Sequence, residues 1–286
     1  MSKMLVLQKA INTTLKIKSI VGGIDIISLQ KTRVAIKELA LKTKYWDAAQ
    51  SALCKILSLL PPQTCKHLYV QQHIPQRETV MIFGMQAGMV GAVQTMCLAK
   101  IQSFFTQNKH KDLQVFTLGR RMTEALQSVV AQSYPHVTLQ EIQAADLLQC
   151  FHQQCQDFSQ QRSAKMSLIY PYFINISSYI MKIETFLPLS AKSVGMTPHY
   201  NPISAHNAPR VLFTALKLFI DAQSAFCLAH CSVVEYSARY WVAHAAEQAC
   251  EDKSKALRLL YNKTRQYKIT QELTEASAGN IAYDDR

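Results

Sequence analysis

Helix-breaking residues are scarce at both ends of this 286-residue sequence. Residues 210–278 contain neither Pro nor Gly, and residues 1–60 contain no Pro and only one Gly pair, Gly22-Gly23. Stretches so free of breakers are typical of continuous helices. At about 1.5 Å per residue, the C-terminal helix would be about 100 Å long. We therefore predict two terminal helices, the second too long to be buried by its own domain, so that it serves as a stalk, an arm or a coiled-coil partner.

Membrane and export signals are also missing from the sequence. No run of about 18 apolar residues occurs, which predicts that no segment inserts into a membrane. The first ten residues lack the apolar core of a signal peptide, and no segment rich in Arg and Ser marks a transit peptide. We therefore expect a chain that is cytosolic as made. Nearly half of the residues are apolar, which excludes a disordered protein.

Paired cysteine spacings are absent. The eight cysteines are scattered through the chain, which favours reduced thiols. Cys227, His230 and Cys231 could be considered as metal ligands, but no second ligand pair accompanies them. Small apolar residues on a packed helix are the better interpretation. We predict neither a metal nor a cofactor.

Acidic residues are few near the N-terminus. The net charge of the chain is +12, and residues 1–60 carry ten Lys and Arg against three acids, Asp25, Glu38 and Asp47. A basic segment favours an acidic partner, either nucleic acid, anionic lipid or an acidic protein surface. A solvated helix face explains the charge equally well. Nucleic acid is the weakest option, because aromatic interleaving and a known module are both lacking.

Between the two helices, short β-rich runs alternate with helical patterns. The predicted strands are 67–70, 79–83, 113–118, 137–142, 165–174 and 181–187. The predicted helices are 89–107, 121–133 and 144–161. This alternation predicts an α/β sandwich with a mainly parallel sheet, followed by a loop at 195–209. The expected organisation is an N-terminal helix at 1–60, an α/β domain at 61–209 and a C-terminal helix at 210–286.

The two terminal helices have patterns that could pair as an antiparallel coiled coil. On the N-terminal helix, the predicted apolar face includes Leu7, Ile11, Leu15, Ile26, Leu29, Val34, Ile36, Leu41, Trp46 and Leu53. On the C-terminal helix, residues at alternating spacings of four and three are Leu212, Leu216, Phe219, Gln223, Phe226, His230, Val233, Ser237, Tyr240 and His244. This second seam is only partly apolar, which suits a helix that also contacts other chains.

Signatures of catalysis and nucleotide binding are weak. Gly84, Gly88 and Gly91 follow a predicted strand and precede a helix, but their spacing matches neither the dinucleotide fingerprint nor the phosphate loop. Tight strand–helix packing is the favoured interpretation of these glycines. No nucleophile–base pair or carboxylate pair can be assembled from local spacing, so we predict no catalytic site in this chain.

The C-terminal stretch resembles a known family. Residues 261–266 read Tyr-Asn-Lys-Thr-Arg-Gln, residues 269–275 read Ile-Thr-Gln-Glu-Leu-Thr-Glu, and residues 277–279 read Ser-Ala-Gly. This run is similar, without a gap, to the C-terminal signature of the gamma subunit of F-type ATP synthases. Weaker similarities to other segments of the family lie earlier in the chain, in the expected order, at 119–121, 173–175, 187–189, 222–223, 235 and 238–239.

Two stretches depart from the family pattern. Residues 17–28 carry Gly23-Ile24 where the family typically has Ala-Met. The loop at 84–94 keeps two glycine positions of the family's glycine-rich loop but lacks its Ser-Asp-Arg triplet. The sequence is therefore identified as a divergent member of the family.

The resemblance implies a long antiparallel coiled coil of the terminal helices with an inserted Rossmann-like α/β domain. It implies a non-catalytic, central-stalk rotor that couples ion flow through a membrane ring to ATP synthesis or hydrolysis at beta subunits. The implied partners are the alpha and beta subunits, the epsilon subunit and the c-ring, on the cytoplasmic face of a bacterial inner membrane. The residues expected to contact the alpha/beta ring are Arg265, Gln266, Thr270, Glu272 and Arg239. The alternative is a gamma-like scaffold or binding protein without coupling activity.

Overall fold

The computed structural model describes residues 3–59, 77–86, 88–109, 111–189 and 208–284. The predicted strand at 67–70 and most of the predicted loop at 195–209 lie outside these residues. The described helices are α1 (Lys3–Leu59), α2 (Ala92–Gln107), α3 (Arg120–Ser133), α4 (Leu147–Ser159) and α5 (Ala208–Asp284). The described strands are β1 (Arg77–Phe83), β2 (Asp112–Leu118), β3 (Val137–Ile142), β4 (Lys165–Asn175) and β5 (Ser178–Leu187).

These strands form one mixed sheet in the order β3-β2-β1-β4-β5. The first four are parallel, and β5 returns antiparallel to β4 after a short turn. Helical connections join the parallel strands, as this arrangement requires. The predicted fold class, an α/β domain inserted between two long helices, is confirmed.

Apolar side chains cover both faces of the sheet. On one face, strand residues such as Met81 pack with Leu53 of α1, Phe151 of α4 and Phe226 of α5. On the other face, strand residues pack with Ile101 of α2 and Leu126 of α3. The central strands β1, β2 and the first part of β4 are therefore buried on both sides, which explains their nearly continuous apolar runs.

The chain divides into two compact units. One consists of Met1–Ser28 with Tyr240–Arg286, and the other of Leu29–Arg239. The three-segment division at 1–60, 61–209 and 210–286 remains a prediction about how the chain folds.

In the first unit, α1 and α5 run antiparallel. The Lys18 ammonium lies 3.1 Å from the Glu251 carboxylate, and the Asp25 carboxylate lies 3.9 Å from Nδ1 of His244. From one pair to the other, the residue number rises on α1 by the same amount that it falls on α5. This register is that of an antiparallel coiled coil.

The buried face of α1 differs from the predicted one. In the first unit, its buried residues are Leu7, Ile11, Thr14, Val21 and Ser28, and in the second they include Thr32, Ala35, Leu39, Ala49 and Leu53. Several large apolar residues expected on this face are exposed instead, namely Leu15, Ile26, Val34 and Leu41. The prediction was wrong there because the buried positions follow spacings of four and three that these four residues do not match, and several of those positions hold small or polar residues.

The buried face of α5 agrees with the predicted ladder. In the second unit, its members from Leu212 to Ser237 are all buried. In the first unit, Tyr240 and His244 are half-buried. Pro209 lies in the first turn of α5, where a missing N–H is tolerated. The helix continues through Gly279 to Asp284, because one Gly in a helix costs only about 1 kcal/mol of stability.

By length and composition, the segment Arg210–Ser277 could cross a membrane. More than half of its most apolar window is buried inside the fold, as expected for a core helix.

Candidate functional site

The last part of α5 is a helix with an exposed apolar surface. We call residues 259–277 the shaft segment. Every residue from Arg265 to Ser277 is exposed. The large apolar side chains include Leu259, Tyr267 and Leu273, which are 65%, 72% and 65% exposed. Exposed apolar patches are typical of surfaces that bind other proteins.

The register of the coiled coil explains why the second half of this segment is exposed. The Lys18–Glu251 and Asp25–His244 pairs place Lys3, where α1 begins, opposite about residue 266 of α5. Beyond that point α5 has no neighbour from the described part of α1. From about residue 267 onward, the shaft segment therefore continues as a single helix.

Four of the five predicted site residues lie together on the shaft segment. Arg265, Gln266, Thr270 and Glu272 are all exposed. The Thr270 hydroxyl donates to the Gln266 carbonyl at 3.0 Å, and the Glu272 carboxylate lies 3.4 Å from the Lys268 ammonium. These contacts stay within one turn of the helix, so they leave the outer edges of the side chains accessible. Their contact with partner subunits remains a prediction.

Arg239, the fifth predicted residue, lies in the other compact unit. Its Nη2 lies 2.7 Å from Oε1 of Glu235, one turn earlier on α5. Its Nε donates to the Gly88 carbonyl at 3.2 Å. The structure therefore does not bring Arg239 together with the other four residues.

The turn after β1 is shaped by tight packing. The Gly84 N–H donates to the Leu118 carbonyl at 2.7 Å. A Cβ added to Gly84 would lie 2.5 Å from Cβ of Met122 on α3. Gly119 has a φ of +108°, and a Cβ there would lie 2.8 Å from the Met85 carbonyl. The interpretation of this glycine turn as strand–helix packing is confirmed at Gly84.

Cys227, His230 and Cys231 are each bonded to a different protein group. The Cys231 thiol donates to the Phe83 carbonyl at 3.6 Å, and Nε2 of Gln223 donates to the Cys227 sulfur at 3.5 Å. Nδ1 of His230 accepts from the Phe173 N–H at 3.1 Å. Burial raises the pKa of both thiols. In the part of the chain that the structure describes, no group of three potential ligands could hold a metal ion.

A His–Asp pair beside a cysteine is also present. Nε2 of His152 lies 3.3 Å from Oδ1 of Asp221, and His152 and Cys155 both line a cavity of about 160 Å³. Burial raises the pKa of the Cys155 thiol, which keeps it protonated and unreactive at neutral pH. The arrangement is therefore suited to packing rather than to nucleophilic attack.

Sequence reasoning missed the outer face of α1. In the first unit this face carries Ile20 and Ile27 together with Lys9 and Lys16, all exposed. In the second unit it carries Val34 and Leu41 together with Lys37 and Lys44, also exposed. The signal was present as a seven-residue spacing at 20, 27, 34 and 41. The predicted buried face included Val34 and Leu41 of this series, because large apolar residues are usually buried.

Comparisons with known proteins agree along nearly the whole chain. The family model described as ATP synthase matches residues 3–282. The ATP synthase gamma chain of Buchnera aphidicola subsp. Schlechtendalia chinensis is 26% identical, over 98% of each chain. That of Cupriavidus necator is 24% identical, over 96% of each chain.

Solved structures have the same fold. A chain of the Euglena gracilis mitochondrial ATP synthase, from its OSCP/F1/c-ring structure, superposes with a TM-score of 0.65. It is 12% identical, with coverage of 98% of this chain and 94% of that one. A chain of the rotor of the same enzyme gives a TM-score of 0.61 at 13% identity, with coverage of 93% and 98%.

Proposed function

This chain belongs to the ATP synthase gamma-chain family, and we propose that its shaft segment turns inside a ring of alpha and beta subunits as the central-stalk rotor of an F-type complex. The chain is a component of a rotary ATPase. The active sites would lie on beta subunits, with this chain contributing no catalytic group and holding no cofactor. Its rotation would couple ion flow through a membrane ring to ATP synthesis or hydrolysis.

The exposed shaft segment carries this proposal. Its apolar side chains, Leu259, Tyr267 and Leu273 among them, are in contact with water in the isolated chain. Enclosure by a ring of subunits would bury them, and each side chain fully covered would stabilise the complex by about 1.5–3 kcal/mol. The run most similar to the family signature lies on this same segment.

Polar residues on the same helix suit a contact that must break repeatedly. Arg265, Gln266, Thr270 and Glu272 are exposed, and exposed ion pairs and hydrogen bonds contribute only about 0–1 kcal/mol each. Such contacts would form on one side of the ring and release as the shaft turns. Because a single helix touches the three beta subunits differently, it would favour a different conformation in each one.

Other surfaces suggest the remaining partners. The exposed lysines on the outer face of α1 would complement acidic loops of the beta subunits. The α/β domain would hold the epsilon subunit and rest on the c-ring. The chain would then be peripheral, on the cytoplasmic face of a bacterial inner membrane.

Reconstitution with alpha and beta subunits tests the proposal. The test variant is Tyr267→Ser with Leu273→Ser, and the matched control is Met96→Ser with Leu148→Ser, which changes two exposed apolar residues on the α/β domain. We expect the test variant to bind the alpha/beta ring at least about tenfold more weakly, because it lacks two large side chains that the ring would bury. Both variants should keep the wild-type free energy of unfolding, since all four side chains are exposed.

Two results would contradict the proposal. A wild-type chain that does not co-purify with alpha and beta subunits as an ATPase would remove the rotor function. An assembled complex in which Arg265→Ala with Gln266→Ala alters neither ATPase rate nor coupling would remove the site assignment while leaving the fold intact.

A further inference from the structure

Two charged residues of α5 hold the turn that follows β1. Glu235 and Arg239 lie one helical turn apart and are only 12% and 15% exposed. The Gln86 N–H donates to the Glu235 carboxylate at 2.9 Å, and the Arg239 guanidinium donates to the Gly88 carbonyl at 3.2 Å. We call these two side chains, with the two backbone groups they bind, the loop clamp. Its two side chains also bind each other at 2.7 Å, so each orients the other.

The same turn is held from its opposite side by α3. A Cβ added to Gly88 would lie 2.5 Å from Nη1 of Arg121, so this guanidinium lies directly against the Gly88 backbone. Gly84 is in similarly close contact with Met122. The described residues of the turn therefore contact α3 as well as α5.

The loop clamp adds charged hydrogen bonds to a contact between α5 and the sheet that also includes two neutral ones, from the Phe173 N–H to His230 and from the Cys231 thiol to the Phe83 carbonyl. Nearby, α5 packs on the sheet through apolar residues such as Cys227, Cys231 and Val234. Apolar contacts are non-directional, so they do not by themselves fix the angle at which α5 meets the turn. Hydrogen bonds to charged groups are directional and about twice as strong as neutral ones. The loop clamp therefore opposes rotation of α5 against the α/β domain.

We propose that Glu235 and Arg239 transmit the turning force between α5 and the α/β domain. This inference rests on the rotor function proposed above, in which the shaft turns in the ring and the α/β domain turns with the membrane ring. A rotor whose shaft slips against its domain would hydrolyse ATP without moving ions. Glu235 and Arg239 are positioning residues: they act through the backbone of the turn and touch no reacting group.

The clamp is tested first in the isolated chain. Hydrogen exchange at the Gln86 amide should accelerate about tenfold in Glu235→Ala, because its charged acceptor is gone. The matched control is Arg120→Gln, which removes one charge from an exposed i,i+4 pair with Glu124 on α3. In the control, exchange at Gln86 should stay at the wild-type rate. Equal exchange in wild type and Glu235→Ala would overturn the inference.

The transmission role is then tested in the assembled complex. In Arg239→Gln we expect ATP hydrolysis to continue with a loss of ion transport per ATP hydrolysed. The Arg120→Gln complex should keep the wild-type ratio of transport to hydrolysis. Partial recovery in Arg239→Lys, which keeps the charge but not the fork of donors, would support a geometric role.

The outcomes separate the two proposals. An Arg239→Gln complex with the control's ratio of transport to hydrolysis would overturn force transmission, even if hydrogen exchange showed the clamp to exist. An Arg239→Gln chain that keeps its exchange pattern but fails to assemble would place Arg239 in a subunit contact and also overturn it. If the wild-type chain itself failed to assemble with alpha and beta subunits, the rotor function would fall, and force transmission with it.

Discussion

The imidazole of His230 stacks on the ring of Tyr172, with ring centroids 4.3 Å apart. Its Nδ1 accepts the Phe173 N–H, which ties α5 to β4. Burial, helped by the Lys182 ammonium nearby, lowers the pKa of His230 to about 4. This histidine is therefore neutral in the folded protein at neutral pH.

The lowered pKa of His230 predicts loss of stability in mild acid. An unfolded histidine has a pKa of about 6.5. Between about pH 6.5 and pH 4 the unfolded chain binds a proton that the folded chain excludes, so the free energy of unfolding falls as the pH falls. We expect this residue to account for about 2 kcal/mol of that fall. Urea unfolding at several pH values, compared with His230→Gln, measures it; equal pH slopes for the two proteins would contradict the prediction.

Replacing Gly84 or Gly23 by Ala should change the free energy of unfolding in opposite directions. Gly84→Ala should lower the free energy of unfolding by about 3 kcal/mol, because the new Cβ would overlap Met122 and the Leu118 carbonyl. Gly23→Ala should raise it by up to about 1 kcal/mol, because Gly23 lies inside α1 with no atom within 4 Å of an added Cβ. Chemical denaturation measures both. Similar effects at the two positions would show that the turn after β1 can move aside.

Trp46 and Gln223 are expected to contribute jointly to stability. The Trp46 ring stacks on the Phe226 ring with centroids 4.9 Å apart, and the Trp46 indole N–H donates to the Gln223 side chain, which is buried. Trp46→Phe should lower the free energy of unfolding by about 1–2 kcal/mol, partly because the side-chain carbonyl of Gln223 loses its donor. Adding Gln223→Leu should recover part of that cost. A double-mutant cycle by denaturation measures the coupling, and strictly additive effects would argue against it.

Two neighbouring ion pairs at one end of the sheet differ in burial. We therefore expect that breaking them lowers the free energy of unfolding by different amounts. The Glu78 carboxylate is buried and binds the Lys111 ammonium, whereas Arg77 and Asp112 form an exposed pair beside it. Lys111→Met should lower the free energy of unfolding by about 2 kcal/mol, because it leaves a buried charge unpaired. Glu78→Gln in that background should restore part of the loss.

Arg77→Met serves as the matched control for this pair. It should change the free energy of unfolding by less than about 1 kcal/mol, as expected for an exposed pair. Equal losses in Lys111→Met and Arg77→Met, measured by thermal or chemical unfolding, would show that burial of Glu78 does not matter.

Local sequence patterns were sufficient to predict most of the fold. The strands starting near Thr79, Leu113, Val137 and Lys165 could be located because each is a short apolar run between turn residues, and buried parallel strands need that composition. The ladder from Leu212 to Ser237 could be located because helical periodicity repeats at a fixed spacing. These signals are local, so one sequence contains them.

The face of α1 could not be predicted in the same way. Val34 and Leu41 are as apolar as residues of a core, and Thr32 and Ala35 are ordinary surface residues by composition. Which set is buried is decided by the side of α1 that faces α5, and the α5 residues in this contact, such as Ala229 and Val233, lie about 200 positions away in the sequence. The alternating spacing of small residues was a signal, but it is weaker than that of large apolar ones.

By itself, the sequence determined two uninterrupted helices, an α/β order between them and the family of the chain, because scarce helix breakers, periodic apolar residues and an ungapped signature are all properties of neighbours in the chain. The tertiary structure decided the role of the charged residues. Arg265 and Arg239 look alike in the sequence, yet one is exposed on the shaft segment and the other is bound to Glu235 and Gly88. The physical reason is that the environment of a guanidinium depends on the carbonyls and carboxylates that folding brings beside it.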